Sequence, residues 1–289
     1  MQLIGDVRVA AVVENEGAFS TVDFLLPDFR PELLAAHPWL QPRFVDAQNR
    51  VMMSFHSFVL RTPHHTILID GCVGNGKERP ARPMWHRQEG PYLERLAQAG
   101  VRPEEIDVVF CTHLHADHVG WNTRLSNGPG AGRWVPTFPN ARYVFARTEY
   151  EHWERLHRAG EKPNHDSFAD SVLPVMESRQ ADLVASDHEI ESGIHLEAAY
   201  GHTPGTCLLH VKNRGAHGIF SGDVVHTPVQ LADPSLSSRF CSDAAKSAAT
   251  RRALCERYAD TSALLFTGHF PGASGTRVVR RGNAFSLEN

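Results

Sequence analysis

The stretch CTHLHADHVGWN, residues 111–122, carries three histidines and an aspartate within six positions. These residues follow directly on the apolar run DVVF, and they are His113, His115, Asp117 and His118. Imidazoles and a carboxylate this close repel one another when charged and lose hydration when buried, unless a cation lies among them. A metal ion is the usual cation, because imidazole nitrogen and carboxylate oxygen are common metal ligands. The motif therefore predicts a metal site.

Three later positions repeat this pattern of a metal-binding side chain at the end of an apolar run. His202 follows one in AAYGHTPG, Asp223 follows one in IFSGDVV, and His269 follows one in LLFTGHF. A glycine precedes each of them directly. Because strand ends that converge on one edge of a sheet bring distant side chains together, we expect these residues to complete the site.

Composition limits the classes of protein and partner. The 289 residues are 42% hydrophobic with a net charge of −4, so there is no basic surplus for a nucleic-acid partner. No stretch approaches the ~20 apolar residues of a membrane span, and the amino-terminal residues lack a signal-peptide pattern. The five cysteines are odd in number and scattered, which is typical of free thiols in a reducing compartment. We expect a cytoplasmic protein with a small-molecule substrate and no membrane partner.

The order of elements indicates a layered α/β protein. A strand is predicted over Asp6–Val13, ending at the polar ENEG, and two further strands are joined at TPHH. A helix in GPYLERLAQAG precedes the short strand IDVVF, so the His-rich motif begins at the carboxyl end of a strand. No linker divides the chain, which predicts a single domain over residues 1–289.

The remaining segments are less uniform. Residues 17–50 mix apolar side chains with prolines, and they are either short helices and loops on the core or a lid or dimer contact. Residues 160–185 look irregular, whereas GIHLEAAYGH, TCLLHVKN and HGIFSGDVV are three consecutive strands. A helix is predicted in DAAKSAATRRALCERYAD, with Ser242 as its cap.

Taken in order, H-x-H-x-D-H, GHTPG, SGD and the final GH resemble the metallo-β-lactamase-fold hydrolases over nearly the whole chain. The resemblance implies a four-layer αββα sandwich with two divalent metal ions, most often zinc, with manganese, iron or cobalt as alternatives. It assigns His113, His115 and His202 to the first metal, Asp117, His118 and His269 to the second, and Asp223 to both. Asp117 would also carry a proton to the leaving group. Asp70, which closes the ILID strand, either orients a ligand histidine or caps the strand.

Within this superfamily the chain is most similar to N-acyl-homoserine lactonases, 4-pyridoxolactonase and methyl parathion hydrolase, notably in GDVVHTPVQLADPS and FTGHFP. The resemblance implies that a hydroxide bridging the two metals cleaves a lactone or another carboxylic ester, with organophosphotriester cleavage as a side activity. Lactonases of this group often carry a tyrosine three residues after the bridging aspartate. His226 stands there in this chain and is either a catalytic hydrogen-bond donor or a residue that lines the pocket.

Two other functions stay open at this point. A glyoxalase II-like thioesterase shares the same ligands, and the short basic tail GTRVVRRGNAF is a weak match to its basic carboxyl-terminal region. A metal-binding protein without turnover is the second alternative, and it belongs to a different class.

Overall fold

A computed structural model describes residues 1–127 and 131–288. The described chain divides into two compact units. The first consists mainly of Val7–Glu14 and Phe55–Ala185. The second consists of Gln2–Asp6, Asn15–Ser54 and the residues from Ser186 onward. The single-domain organisation and the lid or dimer contact in residues 17–50 stay predictions.

The elements of regular structure are as follows. The strands are β1 (Gln2–Ile4), β2 (Val7–Thr21), β3 (Arg50–Arg61), β4 (Thr66–Ile69), β5 (Val108–Phe110), β6 (Thr123–Leu125), β7 (Trp134–Pro136), β8 (Arg142–Ala146), β9 (Ala181–Val184), β10 (Glu189–Glu191), β11 (Ile194–Ala198), β12 (Cys207–Asn213), β13 (Ala216–Phe220), β14 (Leu264–Phe266), β15 (Val278–Arg281) and β16 (Ala284–Leu287). The α-helices are α1 (Val22–Leu25), α2 (Glu32–Ala36), α3 (Tyr92–Gln98), α4 (Ala116–Val119), α5 (Arg147–Arg158), α6 (Leu173–Glu177), α7 (Val229–Ala232) and α8 (Ala244–Tyr258). Tighter 3-10 turns occur at Pro38–Leu40, Pro103–Glu105, Gly120–Asn122, Asn164–Asp166 and Gly222–Val224, and a π-helical turn spans Phe168–Val172.

A seven-stranded sheet runs in the order β1-β2-β3-β4-β5-β8-β9, and β4, β5, β8 and β9 lie wholly in the first unit. The predicted hairpin at TPHH is confirmed, because β3 and β4 pair antiparallel on either side of it. β4, β5 and β8 are parallel, with Ile69 beside Phe110 and Phe110 beside Val144. The ends of β4 and β5 are therefore neighbours, and the His-rich motif begins one residue after β5.

The core of the first unit explains why these strands form where they do. Every residue of β5 is buried, and Val109 packs with Leu68 of β4 and Tyr143 of β8. Leu96 of α3 joins the same apolar cluster, as its helical spacing predicts. This packing holds the ends of β4 and β5, and hence the loops that follow them.

The predicted end of the first strand is wrong. β2 continues through the polar ENEG to Thr21, because Glu14 is buried and has partners within the first unit. Its carboxylate accepts hydrogen bonds from the backbone N–H groups of Val73 and Gly74, each at 3.0 Å, and from Trp121 Nε1 at 2.6 Å. Burial raises the pKa of Glu14 in spite of these bonds.

The second unit contains a five-stranded sheet in the order β10-β11-β12-β13-β14. The three consecutive strands predicted from the sequence are confirmed as β11, β12 and β13, which pair antiparallel. β14 lies parallel to β13, with Phe220 beside Phe266, so these two strands end at the same edge. Asp223 and His269 each follow one of these ends.

One helix cap differs from its prediction. Helix α8 begins after Asp243, whose side chain accepts a hydrogen bond from the Lys246 N–H, and Ser242 lies one residue outside. A carboxylate in this position accepts an otherwise unpaired helix N–H and also complements the helix dipole. The basic tail forms the antiparallel pair β15–β16.

Two observations concern the surroundings of the protein. Among the described residues, no helix is both long enough and apolar enough to cross a membrane. All five cysteines are free thiols, and all except Cys241 are buried.

Candidate metal centre

The four side chains of the His-rich motif lie together in the first unit. His113 and His115 precede helix α4, and Asp117 and His118 are its second and third residues. His113 Nε2 lies 3.1 Å from His115 Nδ1, and His118 Nε2 lies 4.0 Å from Asp117 Oδ2. The rings of His113 and His118 are 4.0 Å apart between centroids. Because His113 and His118 are buried while His115 and Asp117 are partly exposed, the cluster is accessible from one side.

Asp70 orients His118, which is the first of the two roles predicted for it. Its carboxylate lies 2.8 Å from His118 Nδ1 and accepts the Thr112 N–H at the same distance. The hydroxyl of Thr112 also donates to it, at 2.9 Å. The Asp70 backbone adopts a left-handed conformation with φ of 59°. His118 Nδ1 is therefore held by a carboxylate, and Nε2 is the nitrogen left for a metal.

Glu149 supports the same loop and was not singled out by the sequence. This buried residue of α5 accepts hydrogen bonds through one oxygen from the Leu114 N–H at 3.0 Å and from Trp153 Nε1 at 2.7 Å. The Trp153 ring lies edge-on to the His115 ring, 5.5 Å away between centroids. The helical spacing of α5 is visible in the sequence, but it does not show which of its acids faces inward.

The second unit brings His202, Asp223 and His269 together from three separate loops. His202 Nε2 lies 3.3 Å from Asp223 Oδ2, and His269 Nε2 lies 3.1 Å from Asp223 Oδ1. All three side chains are buried. Each carboxylate oxygen of Asp223 therefore faces a different imidazole.

The other ring nitrogens of these two histidines have polar neighbours as well. His269 Nδ1 lies 3.1 Å from the Ser54 carbonyl oxygen, and His202 Nδ1 lies 3.5 Å from Cys241 Sγ. In metal sites a ligand histidine commonly gives one nitrogen to the metal and the other to such a partner. The donor types, the burial and these partners all fit divalent metal ions.

His226 lies beside the Asp223 carboxylate. Its Nε2 is 3.2 Å from Asp223 Oδ2, and its ring is 4.7 Å from the His202 ring between centroids. The His226 backbone N–H donates to Gln230 Oε1 at 2.7 Å, which fixes the start of the following turn. Among the described residues, the buried Nδ1 of His226 has no hydrogen-bond partner. This side chain is therefore close enough to the candidate ligands to take part in their chemistry.

The sequence profile of the Metallo-beta-lactamase superfamily matches residues 56–269, which include all seven candidate ligands. The chain belongs to this superfamily. Membership explains why the candidate ligands occur in this order, and it confirms the resemblance seen in the sequence.

Two solved structures confirm the predicted α/β fold as the metallo-β-lactamase fold. One is the hydrolase AbOPH, with a TM-score of 0.80 and 22% identity, covering 99% of this chain and 95% of that one. The other is AidC, described as a dizinc quorum-quenching lactonase in complex with a product, with a TM-score of 0.81, 19% identity and the same coverage. Among curated relatives, an N-acyl homoserine lactonase of Bacillus cereus is 24% identical over 207 residues, 71% of each chain.

Proposed function

We propose that the chain is a metal-dependent hydrolase of ester bonds that opens lactones with two divalent metal ions. His113, His115 and His202 hold the first ion, Asp117, His118 and His269 hold the second, and Asp223 binds both. Support comes from the donors gathered within each unit, from the superfamily and from the relatives named as lactonases.

The observation that carries this proposal is the placement of Asp223. Its two oxygens face His202 and His269, at 3.3 and 3.1 Å, and these histidines belong to different metals in the assignment. A carboxylate with a candidate metal-binding imidazole beside each of its oxygens would be placed to bind both ions, and this placement supports the assignment.

Two divalent ions, when bound, lower the pKa of a shared water and polarise the substrate carbonyl oxygen. The protein then needs no serine or cysteine nucleophile, and the burial of Cys72 and Cys111, which raises the pKa of both thiols, agrees with this. Asp117 is a partly exposed carboxylate at the cluster, and we assign it the transfer of a proton from the attacking water to the leaving alkoxide oxygen. The His226 side chain is the candidate donor to the oxygen that becomes negative at the carbonyl.

A substrate panel tests the reaction class. Zinc-loaded protein is assayed with N-acyl homoserine lactones, simple lactones, aryl esters, thioesters and phosphotriesters. We expect the highest kcat/KM on a lactone, with loss of turnover after chelation and recovery when zinc is returned. If thioesters give the highest value, the chain is a thioesterase, and no turnover on any member supports a metal-binding protein without catalysis.

The phosphotriester arm of the panel tests a side activity. A hydroxide that attacks a carbonyl carbon can also attack phosphorus, so we expect measurable but slower cleavage of phosphotriesters.

The identity of the metal is tested by reloading the chelated protein with zinc, manganese, iron(II) or cobalt. We propose zinc as the preferred ion.

We also propose that the protein acts in the cytoplasm. The five free thiols, four of them buried, suit a reducing compartment. Cell fractionation with an antibody against the native chain tests this, and recovery outside the cytoplasmic fraction would refute it. Assembly into a homodimer stays a proposal that sedimentation velocity decides.

A further inference from the structure

Three consecutive residues of the first unit have an unusual backbone conformation. Asn164, His165 and Asp166 have φ values of 53°, 59° and 60°, in the left-handed region that favours glycine. Non-glycine residues keep such conformations only where surrounding contacts enforce them, and these contacts are often found at functional sites. The contacts of this left-handed turn therefore indicate its role in the structure.

The Asn164 side chain contacts the backbone on both sides of His115. Its Oδ1 accepts the Ala116 N–H at 2.9 Å, and its Nδ2 donates to the Leu114 carbonyl oxygen at 2.8 Å. Nδ2 also donates to Ser167 Oγ at 2.7 Å, which orients the carboxamide. Since Glu149 accepts the Leu114 N–H, three backbone groups next to His115 are bonded to side chains from other segments.

The left-handed turn is itself held from its other side. Arg79 is fully buried and donates to the His165 carbonyl oxygen at 3.2 Å. The same guanidinium makes two hydrogen bonds to Asp170, at 2.7 and 2.9 Å. Asp170 belongs to the π-helical turn, so the left-handed turn is fixed to that turn through an ion pair.

We propose that Asn164 is a positioning residue for His115 and Asp117. Its carboxamide sets the backbone between these two ligands, and the left-handed turn presents that carboxamide to Leu114 and Ala116. The expected effect of Asn164 on metal binding rests on the proposed function, whereas its hydrogen bonds to Leu114 and Ala116 do not.

The test compares two glycine substitutions in the same turn. Asn164→Gly removes the carboxamide, and glycine accepts the left-handed backbone without strain. Asp166→Gly relieves the same strain at φ 60° but leaves the carboxamide in place, so it is the matched control. Both variants are studied first without metal, by amide hydrogen exchange, and then by zinc competition with a chelator.

We expect the Ala116 amide to exchange faster in metal-free Asn164→Gly than in Asp166→Gly. Zinc affinity should fall by about 10–100-fold in Asn164→Gly alone, which is the usual effect of losing a group that orients a ligand. Asn164→Asp retains an acceptor for Ala116 but loses the donor to Leu114, so its affinity should lie between the two. If Asn164→Gly does not fold, Asn164→Asp is compared with Asp166→Gly in its place.

Equal Ala116 exchange and equal zinc affinity in the two glycine variants would overturn the positioning role. The two claims can fail separately. If neither the wild-type protein nor any variant binds zinc, the proposed function is wrong, yet the exchange of Ala116 still decides whether Asn164 fixes this loop.

Discussion

The two groups of candidate ligands are built in different ways. In the first unit, four donors lie within six residues of a loop and a short helix, and side chains from distant segments hold that loop. In the second unit, three donors come from three loops at strand ends, where the sheet fixes the backbone. There the donors contact one another through Asp223.

The difference predicts which substitutions disturb each group of candidate ligands. The conformation of a loop without strand pairing depends on side chains that form hydrogen bonds with its backbone N–H and C=O groups. Asp70, Glu149 and Asn164 are such side chains. Donors at strand ends depend less on such side chains and more on the shared carboxylate. Substitution of supporting residues should therefore affect the first group more than the second.

The largest effect should follow from removing the shared carboxylate. Asp223→Ala is expected to lose at least one bound metal ion and all measurable turnover, because two imidazoles lose their common partner. The exposed Asp187→Ala in the same unit is the control and should keep both. Metal analysis and lactone turnover of the two variants give the answer, and a metal-replete, active Asp223→Ala would refute the bridging role.

His226→Ala should have the next largest effect. If His226 donates to the developing oxyanion, kcat for lactones falls by about 10²–10³, the usual loss for one such donor. Metal content should stay unchanged, since His226 is outside the ligand set. Should KM rise while kcat holds, His226 only lines the pocket, and its place among the catalytic residues is lost.

A smaller effect is expected from Asp70→Asn, and it directly tests the contrast between the two groups. The amide has one acceptor oxygen and no charge, so it cannot serve Thr112 and His118 as both carboxylate oxygens do, and metal affinity or kcat should fall by about 10–100-fold. Cys241→Ser, beside His202 Nδ1 in the second unit, should change affinity much less. Chelator competition measures both variants. Equal losses would show that the second group depends on its supporting side chains just as strongly.

The last effect concerns stability rather than activity and lies outside both groups of ligands. Burial, together with the charges of His217 and His195, lowers the pKa of His210 to about 3. The unfolded chain therefore binds more protons at His210 between pH 3 and 6.5, and stability should fall on acidification through this window. One such group contributes a slope of up to about 1.4 kcal/mol per pH unit.

His210→Phe should reduce this slope without changing metal content, and urea unfolding at several pH values measures it. His157→Phe is a comparison at a partly exposed histidine of the first unit. An unchanged acid slope in His210→Phe would show that His210 does not stay neutral in the folded protein.

The sequence singles out the candidate ligands because each is a His or Asp in a recognisable place, at or just after the end of an apolar run. It does not predict Glu149 or Asn164, because their role depends on which distant backbone groups they contact. The periodicity of α5 marks a helix but not its buried acid. Residues 160–185 look irregular because the left-handed turn, the π-helical turn, α6 and β9 are each too short to show a periodicity. Likewise β2 extends through Glu14 only because tertiary contacts satisfy that carboxylate.

The central claim is that seven donors hold two metal ions, and both are needed for ester hydrolysis. Zinc titration of the metal-free protein, with bound zinc and lactone turnover followed together, tests it most directly. The account predicts close to two ions per chain, with turnover appearing as the second ion binds. Full turnover with one ion per chain, unchanged by further zinc, would contradict it.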